Sequence, residues 1–152
     1  MDNDENDLAA SGVRIFLVED NPDHVFIALT VMRQVLGDAI EMLHAQSAEE
    51  ALEMIPRFTE SDRPDLFFID LRLPENGGFS VLAAIRGSEV CSNIPLFVVT
   101  SSMYDRDIAQ SYELGASAVL SKPLSRAKLR EELTRVGAIP TLGTVTQTTY
   151  RH

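Results

Sequence analysis

Asp70 stands where an apolar run meets a turn. Leu66-Phe67-Phe68-Ile69 precedes it, and Leu71-Arg72-Leu73-Pro74-Glu75-Asn76-Gly77-Gly78 follows. A carboxylate at such a point is costly to bury and well placed to react, and it serves equally well as the first residue of a turn. Three further stretches carry side chains of matching chemistry: Glu19-Asp20, Thr100-Ser101-Ser102 and Lys122-Pro123, each just after an apolar run of its own. Glu19, Asp20 and Asp70, if brought together, would repel one another at neutral pH and call for a cation or a shared proton. Oxygen donors without His or Cys suit Mg²⁺, and His24, His44 and His152 show no metal-ligand spacing. A phosphoryl group on Asp70 would bring about −1.5 to −2 charges. Lys122 would neutralise one of its oxygens, the Thr100 hydroxyl would donate to another, and Mg²⁺ would bridge a third. Each stretch alone has a plainer reading. Glu19-Asp20 reads as helix-capping acids, Thr100-Ser101-Ser102 as the start of a helix, and Lys122-Pro123 as a surface turn.

What joins them is the order of elements that must hold them. Val13–Val18 reads as a first strand, stopped by Glu19-Asp20-Asn21-Pro22. Val25, Ala28, Leu29, Met32, Val35 and Leu36 then recur at helical spacing, with Asp20 or Asn21 as cap, Pro22 in the first turn and Gly37 as the stop. A weaker strand at about Ile40 to Ala45 leads to a helix capped by Ser47, with Glu50 completing a capping box and Ala48, Ala51, Leu52 and Ile55 as its buried face. The Asp70 strand follows. The Pro74 to Gly78 stretch reads as turn chemistry that stops it, and Val81, Leu82 and Ile85 mark a third helix. Ile94–Val99 is a fourth strand, and Asp105 to Leu114 a helix with Ile108, Ala109 and Tyr112 on one face, stopped by Gly115. Ala118–Leu120 is a short fifth strand. Ser125 caps a last helix through Leu129, Leu133 and Val136, and Gly137 ends it. Strand and helix alternate five times, which calls for an α/β domain with a parallel sheet covered by helices on both faces. Ligands of such sheets bind beyond the carboxyl ends of the strands. There Glu19, Asp20, Asp70, Thr100, Ser101 and Lys122 would share one rim.

These residues carry a resemblance. Glu19-Asp20, Asp70 with Leu73-Pro74 and Gly77-Gly78, Thr100-Ser101, and Gly115-Ala116 leading to Lys122-Pro123 resemble the receiver domain of two-component response regulators, from about Val13 to Val136. The resemblance implies a flavodoxin-like, doubly wound five-stranded sheet of order 2-1-3-4-5. It implies Asp70 as the acceptor of a phosphoryl group from phosphohistidine on a sensor histidine kinase. Glu19, Asp20 and Asp70 would hold Mg²⁺ together with the backbone carbonyl of Arg72. Thr100 becomes the switch hydroxyl and Lys122 the charge sensor, while the Arg72 and Ser102 side chains flank the phosphoryl group and tune its lifetime. Such a protein is a phospho-acceptor that transfers the group to itself and loses it slowly, not an enzyme acting on other substrates. One position departs from the pattern: Val119 stands where receivers often carry Tyr or Phe, which leaves Tyr104 and Tyr112 as aromatic substitutes. The Arg57 to Pro64 loop, Asp70-Leu71-Arg72-Leu73-Pro74 and Tyr112-Glu113-Leu114 resemble receivers paired with phytochrome-type photoreceptor kinases.

Composition narrows the partners. The chain has 152 residues, 45% of them hydrophobic, and a formal charge of −10. A net negative field repels nucleic acid and anionic lipid, and no stretch approaches the roughly 20 apolar residues of a membrane span. The acidic lead-in and the single cysteine, Cys91, fit a cytoplasmic location. Residues 1–12 read as a disordered acidic segment, 13–136 as the receiver domain, and 137–152 as a tail without an output domain. Output would then run through protein contact, with homodimerisation as one form and Ile139 to Tyr150 as a candidate dimer arm. Two other uses of the strand order fit the residues less well. A flavin carrier needs a neutral loop after strand one, where Glu19-Asp20 stands. An aspartyl-phosphate hydrolase places an acid two residues after the nucleophile, where Arg72 stands. A bare interaction module that has lost phosphorylation would not need Asp70, Glu19, Asp20, Thr100 and Lys122 all intact.

Overall fold

Alternation along the strands decides where each helix packs. In β1 (Arg14–Val18), Phe16 and Val18 point to one side of the sheet and Ile15 and Leu17 to the other, all buried. β3 (Leu66–Ile69) divides in the same way, Phe67 and Ile69 against Leu66 and Phe68. Strands buried on both faces need helices on both, and the connections must then be crossovers. The computed structural model describes residues 12–101 and 104–139. It shows a five-stranded parallel sheet in the order β2-β1-β3-β4-β5. The remaining strands are β2 (Glu41–Ala45), β4 (Leu96–Thr100) and β5 (Ala118–Ser121).

Helix α1 (Pro22–Leu36) lies on the Ile15 face. Asn21 caps it by accepting from the backbone N–H groups of Asp23 and His24, and Ala28, Met32 and Leu36 are its buried residues. Full burial of Met32 and Leu36 is worth about 1.5–3 kcal/mol each. The last helix, α5 (Arg126–Arg135), shares that face through Leu129 and Leu133 and takes its cap from Ser125. The opposite face is covered by α2 (Ala48–Met54), capped by Ser47, and α3 (Gly77–Arg86), with Ala51, Val81, Leu82 and Ile85 buried. Phe16 meets Phe58 and Phe67 edge-on at ring separations of 5.7 and 5.5 Å. Helix α4 (Asp105–Glu113) follows β4.

Three local expectations are corrected. Leu52 of α2 is exposed: Ala48, Ala51 and Ile55 form the stripe turned to the core, Ile55 from the 3-10 turn Ile55–Arg57 that follows the helix, and Leu52 lies on the flank of that stripe. In α4 the fully buried residue is Ser111, whose hydroxyl donates to the Asp107 carbonyl at 2.8 Å, whereas Ala109 and Tyr112 face outward. The third concerns Gly77 and Gly78. Read as part of the turn that stops the strand, both instead belong to the first turn of α3, and the left-handed residues of the turn are Glu75 and Asn76 at φ 60° and 58°. The glycines answer to close approach instead. A Cβ on Gly77 would stand 2.5 Å from the Ala48 Cβ, and one on Gly78 would stand 2.6 Å from the Leu71 Cα. The acidic lead-in except Gly12, Ser102, and the proposed arm beyond Ile139 lie outside the described residues.

Candidate functional site

The sheet ladder continues one residue past the strands and thereby delivers the site. Asp70 N–H donates to the Val18 carbonyl at 3.0 Å, Glu19 N–H to the Ala45 carbonyl at 3.1 Å, and Lys122 N–H to the Thr100 carbonyl at 3.0 Å. Residues from positions 19, 70 and 122 are thus locked in register at the carboxyl ends of the strands. Glu19, Asp20 and Asp70 each offer a carboxylate oxygen, and these oxygens lie within 4.8 Å of one another. Glu19 and Asp70 are buried, while Asp20 is exposed.

Lys122 lies across the two buried acids. Its Nζ donates to Glu19 Oε1 at 2.7 Å and to Asp70 Oδ2 at 3.2 Å. The other oxygens of both acids are also occupied: Arg72 N–H donates to Asp70 Oδ1 at 3.0 Å and Asn21 N–H to Glu19 Oε2 at 3.1 Å. These bonds fix the carboxylate planes. Three acids and one ammonium leave two negative charges in excess, so the cluster attracts a further cation. An all-oxygen set with one exposed member suits Mg²⁺, which keeps several waters and takes one or two carboxylates; the residues present fit that ion.

Thr100 is fully buried at the end of β4, with Ser101 exposed beside it. A cavity of about 310 Å³ opens next to these residues, lined on the polar side by Glu19, Asp70, Ser101 and Lys122 and on the apolar side by Ile27, Met32 and Leu124 among others. On the far side of Asp70 a more polar recess is lined by Asp20, Arg72, Glu75, Asn76 and Asp107. Glu19, Asp20, Asp70 and Lys122 are thus gathered at one place, with Thr100 at the adjoining strand end and Arg72 touching Asp70 through its backbone. Val119 is half-buried on β5, and its N–H donates to the Tyr112 hydroxyl at 3.3 Å. Tyr104 remains largely exposed.

Two site residues escape a reading by spacing. His24 Nδ1 lies 2.9 Å from Lys122 Nζ and 3.5 Å from Glu19 Oε2. His44 Nε2 lies 2.8 Å from the Glu19 backbone carbonyl; an acceptor there requires the proton on that nitrogen. Neither shows metal-ligand spacing in the sequence, and each instead packs beside Glu19, His24 near its side chain and His44 on its backbone carbonyl. The one signal in the sequence is position. His24 falls in the first turn of the helix that leaves Glu19-Asp20, and β-register sets His44 opposite Leu17, two residues before Glu19.

Comparison with known proteins agrees with this geometry. The response regulator receiver domain family matches residues 15–134. Among curated proteins, the response regulator Rcp1 of Synechocystis sp. is 32% identical over 110 residues, covering 71% of this chain and 75% of Rcp1. Among solved structures, the bacteriophytochrome response regulator AtBRR superposes with a TM-score of 0.70 at 30% identity, over 86% of this chain and 96% of that one. The receiver domain of the sensor histidine kinase PA1611 from Pseudomonas aeruginosa, which holds a magnesium ion in its active-site cleft, superposes with a TM-score of 0.69 at 28% identity, over 83% of this chain and 98% of that one. A sheet of this order, with acids at the ends of β1 and β3 and a lysine after β5, is what the matched region builds, and the chain belongs to the response regulator receiver domain family.

Proposed function

We propose that this protein takes a phosphoryl group from the phosphohistidine of a sensor histidine kinase onto Asp70, with Mg²⁺, and passes the signal on by protein contact. The observation that carries the reading is Lys122 lying on Asp70 and Glu19 beside Asp20, a nucleophile with its charge-neutralising partners already in hydrogen-bond reach. Glu19, Asp20 and Asp70 would hold the ion, with the Arg72 carbonyl as a further ligand. Bound there, Mg²⁺ would shield the negative oxygens of donor and acceptor. The chain's own residues do the rest. Arg72 N–H, on Oδ1, holds the Asp70 carboxylate in one orientation. An Asp70 oxygen attacks phosphorus, the P–N bond to the donor imidazole breaks, and the imidazole leaves with its electron pair. The product is an acyl phosphate. Lys122 then has phosphoryl oxygens to donate to, and the Thr100 hydroxyl serves as a second donor. Such transfer depends on positioning and charge neutralisation far more than on acid–base chemistry. The likeness to a bacteriophytochrome response regulator supports a phytochrome-type photoreceptor as the kinase.

The test is intact mass after incubation with a small phosphodonor and Mg²⁺. The expected result is one phosphoryl adduct, lost in Asp70→Asn and on chelation of the metal. No adduct from either the small donor or a histidine kinase would leave only an interaction module.

A further inference from the structure

An ammonium has three N–H donors and no acceptor, and Lys122 has three acceptors within reach. Two are the carboxylate oxygens of Glu19 and Asp70 at 2.7 and 3.2 Å; the third is His24 Nδ1 at 2.9 Å. Because the lysine can only donate, a hydrogen bond between the two has that ring nitrogen as its acceptor. His24 therefore differs in kind from the other two partners. Glu19 and Asp70 belong to the acidic cluster that attracts a cation; His24 is not one of its three members, and its Nδ1 lies nearer to Lys122 Nζ, at 2.9 Å, than to Glu19 Oε2, at 3.5 Å. The ring is held at that place by backbone geometry: Asn21 Oδ1 accepts from the His24 backbone N–H at 3.4 Å and from that of Asp23 at 2.9 Å, fixing the first turn of α1. The Lys122 side chain is only 14% exposed, so few waters are available to replace a lost acceptor.

The consequence is a competition. Lys122 and a divalent cation both seek the Glu19 and Asp70 oxygens. Each contact the ammonium makes outside the cluster weakens its hold on those oxygens and eases entry of the ion. Resting on the Mg²⁺-dependent reading given above, we infer that His24 is a positioning residue that draws Lys122 partly off the carboxylates, raising the affinity of the acidic cluster for Mg²⁺. It keeps the ammonium at the site once the ion shares the carboxylate oxygens, ready for the incoming phosphoryl oxygens. His24 itself touches neither donor nor ion in this role.

Isothermal titration of the metal-free protein with MgCl₂ at fixed pH tests this on wild type, His24→Leu, His24→Ala and His24→Asn. Asparagine keeps an acceptor oxygen close to where the imidazole nitrogen stands. His24→Leu and His24→Ala are expected to bind Mg²⁺ about three- to tenfold more weakly, the size of one net hydrogen bond. His24→Asn is expected to return to within about twofold of wild type by the same estimate. If one apolar variant fails to fold, as seen by circular dichroism, the other carries the comparison. Unchanged affinity in the folded apolar variants overturns the inference, and so does a His24→Asn protein that binds as weakly as they do. Wild type that binds no Mg²⁺ is a different result, because it overturns the metal-dependent reading itself.

Discussion

At the residue scale, Cys91 and Arg86 show how this chain handles polar groups it cannot expose. Burial pushes the Cys91 thiol up, an effect that a hydrogen bond from Ser88 and the charge of Arg63 only partly offset. A raised value in the folded protein means that folding holds the proton past the point where the unfolded thiol releases it. The stability tied to that proton is complete below the ordinary thiol value and is lost as pH rises through the folded one. We therefore expect the stability difference between wild type and Cys91→Ala, from urea unfolding, to shrink as pH is raised from 8 to about 10. A constant difference would show that burial does not govern the thiol. Arg86 is handled by bonding. Its guanidinium donates to the carbonyls of Gly115, Ser92 and Ile94 at 2.9, 2.9 and 2.7 Å. Burial lowers its affinity for the proton, and three carbonyl acceptors satisfy the charge it keeps.

At the scale of elements, the close approach of α3 to the Asp70 loop constrains the site. A side chain at Gly78 would meet the Asp70 carbonyl oxygen at 2.7 Å as well as the Leu71 backbone, and backbone atoms cannot step aside as a flexible side chain can. Gly78→Ala is expected to cost about 1–3 kcal/mol, read as a lower urea midpoint with an unchanged slope. Because the displaced backbone carries Asp70, phosphoryl uptake from a small donor should slow as well. A destabilised variant with wild-type uptake would separate helix packing from the site. The sequence marks these glycines clearly as part of a Pro-Glu-Asn-Gly-Gly turn, but spacing does not show that they already belong to the helix that follows. Glu75 and Asn76 are the left-handed residues of the turn, and the glycines serve the contact. The outward turn of Ala109 and Tyr112 has a similar origin. Helical spacing gives a stripe but not which flank of it meets the sheet, and here Ser111 points inward. Tyr112 then lies along the edge of β5 with its hydroxyl on Val119.

At the scale of the whole molecule, the proposed binding of Mg²⁺ to the cluster of acids would make folding and ion binding one equilibrium. A ligand that binds only the folded chain stabilises it by RT ln(1 + [L]/Kd), about 2.7 kcal/mol at a hundredfold excess over Kd. Mg²⁺ should accordingly raise the thermal midpoint in a concentration-dependent way, and chelation should reverse it. Glu19→Gln, which removes one buried acid, should blunt the rise. A midpoint indifferent to Mg²⁺ up to tens of millimolar would count against a cation at these carboxylates. The ladder bonds of Glu19, Asp70 and Lys122 join each acid or base by its own backbone to a neighbouring strand.

The sequence by itself determined the five-fold alternation of strand and helix, the parallel sheet, and the rim that carries Glu19, Asp20, Asp70, Thr100 and Lys122. Those follow from hydrophobic period and from where polar residues end apolar runs, which are properties of neighbours along the chain. Only the tertiary structure decided that Lys122 lies on Glu19 and Asp70 and that His24 supplies its third acceptor, pairs separated by 103, 52 and 98 positions. It also decided that His44 braces Glu19 from the edge strand. The reason is physical: a hydrogen bond across such distances depends on register and on the direction of a ring nitrogen, and neither leaves a period in the sequence.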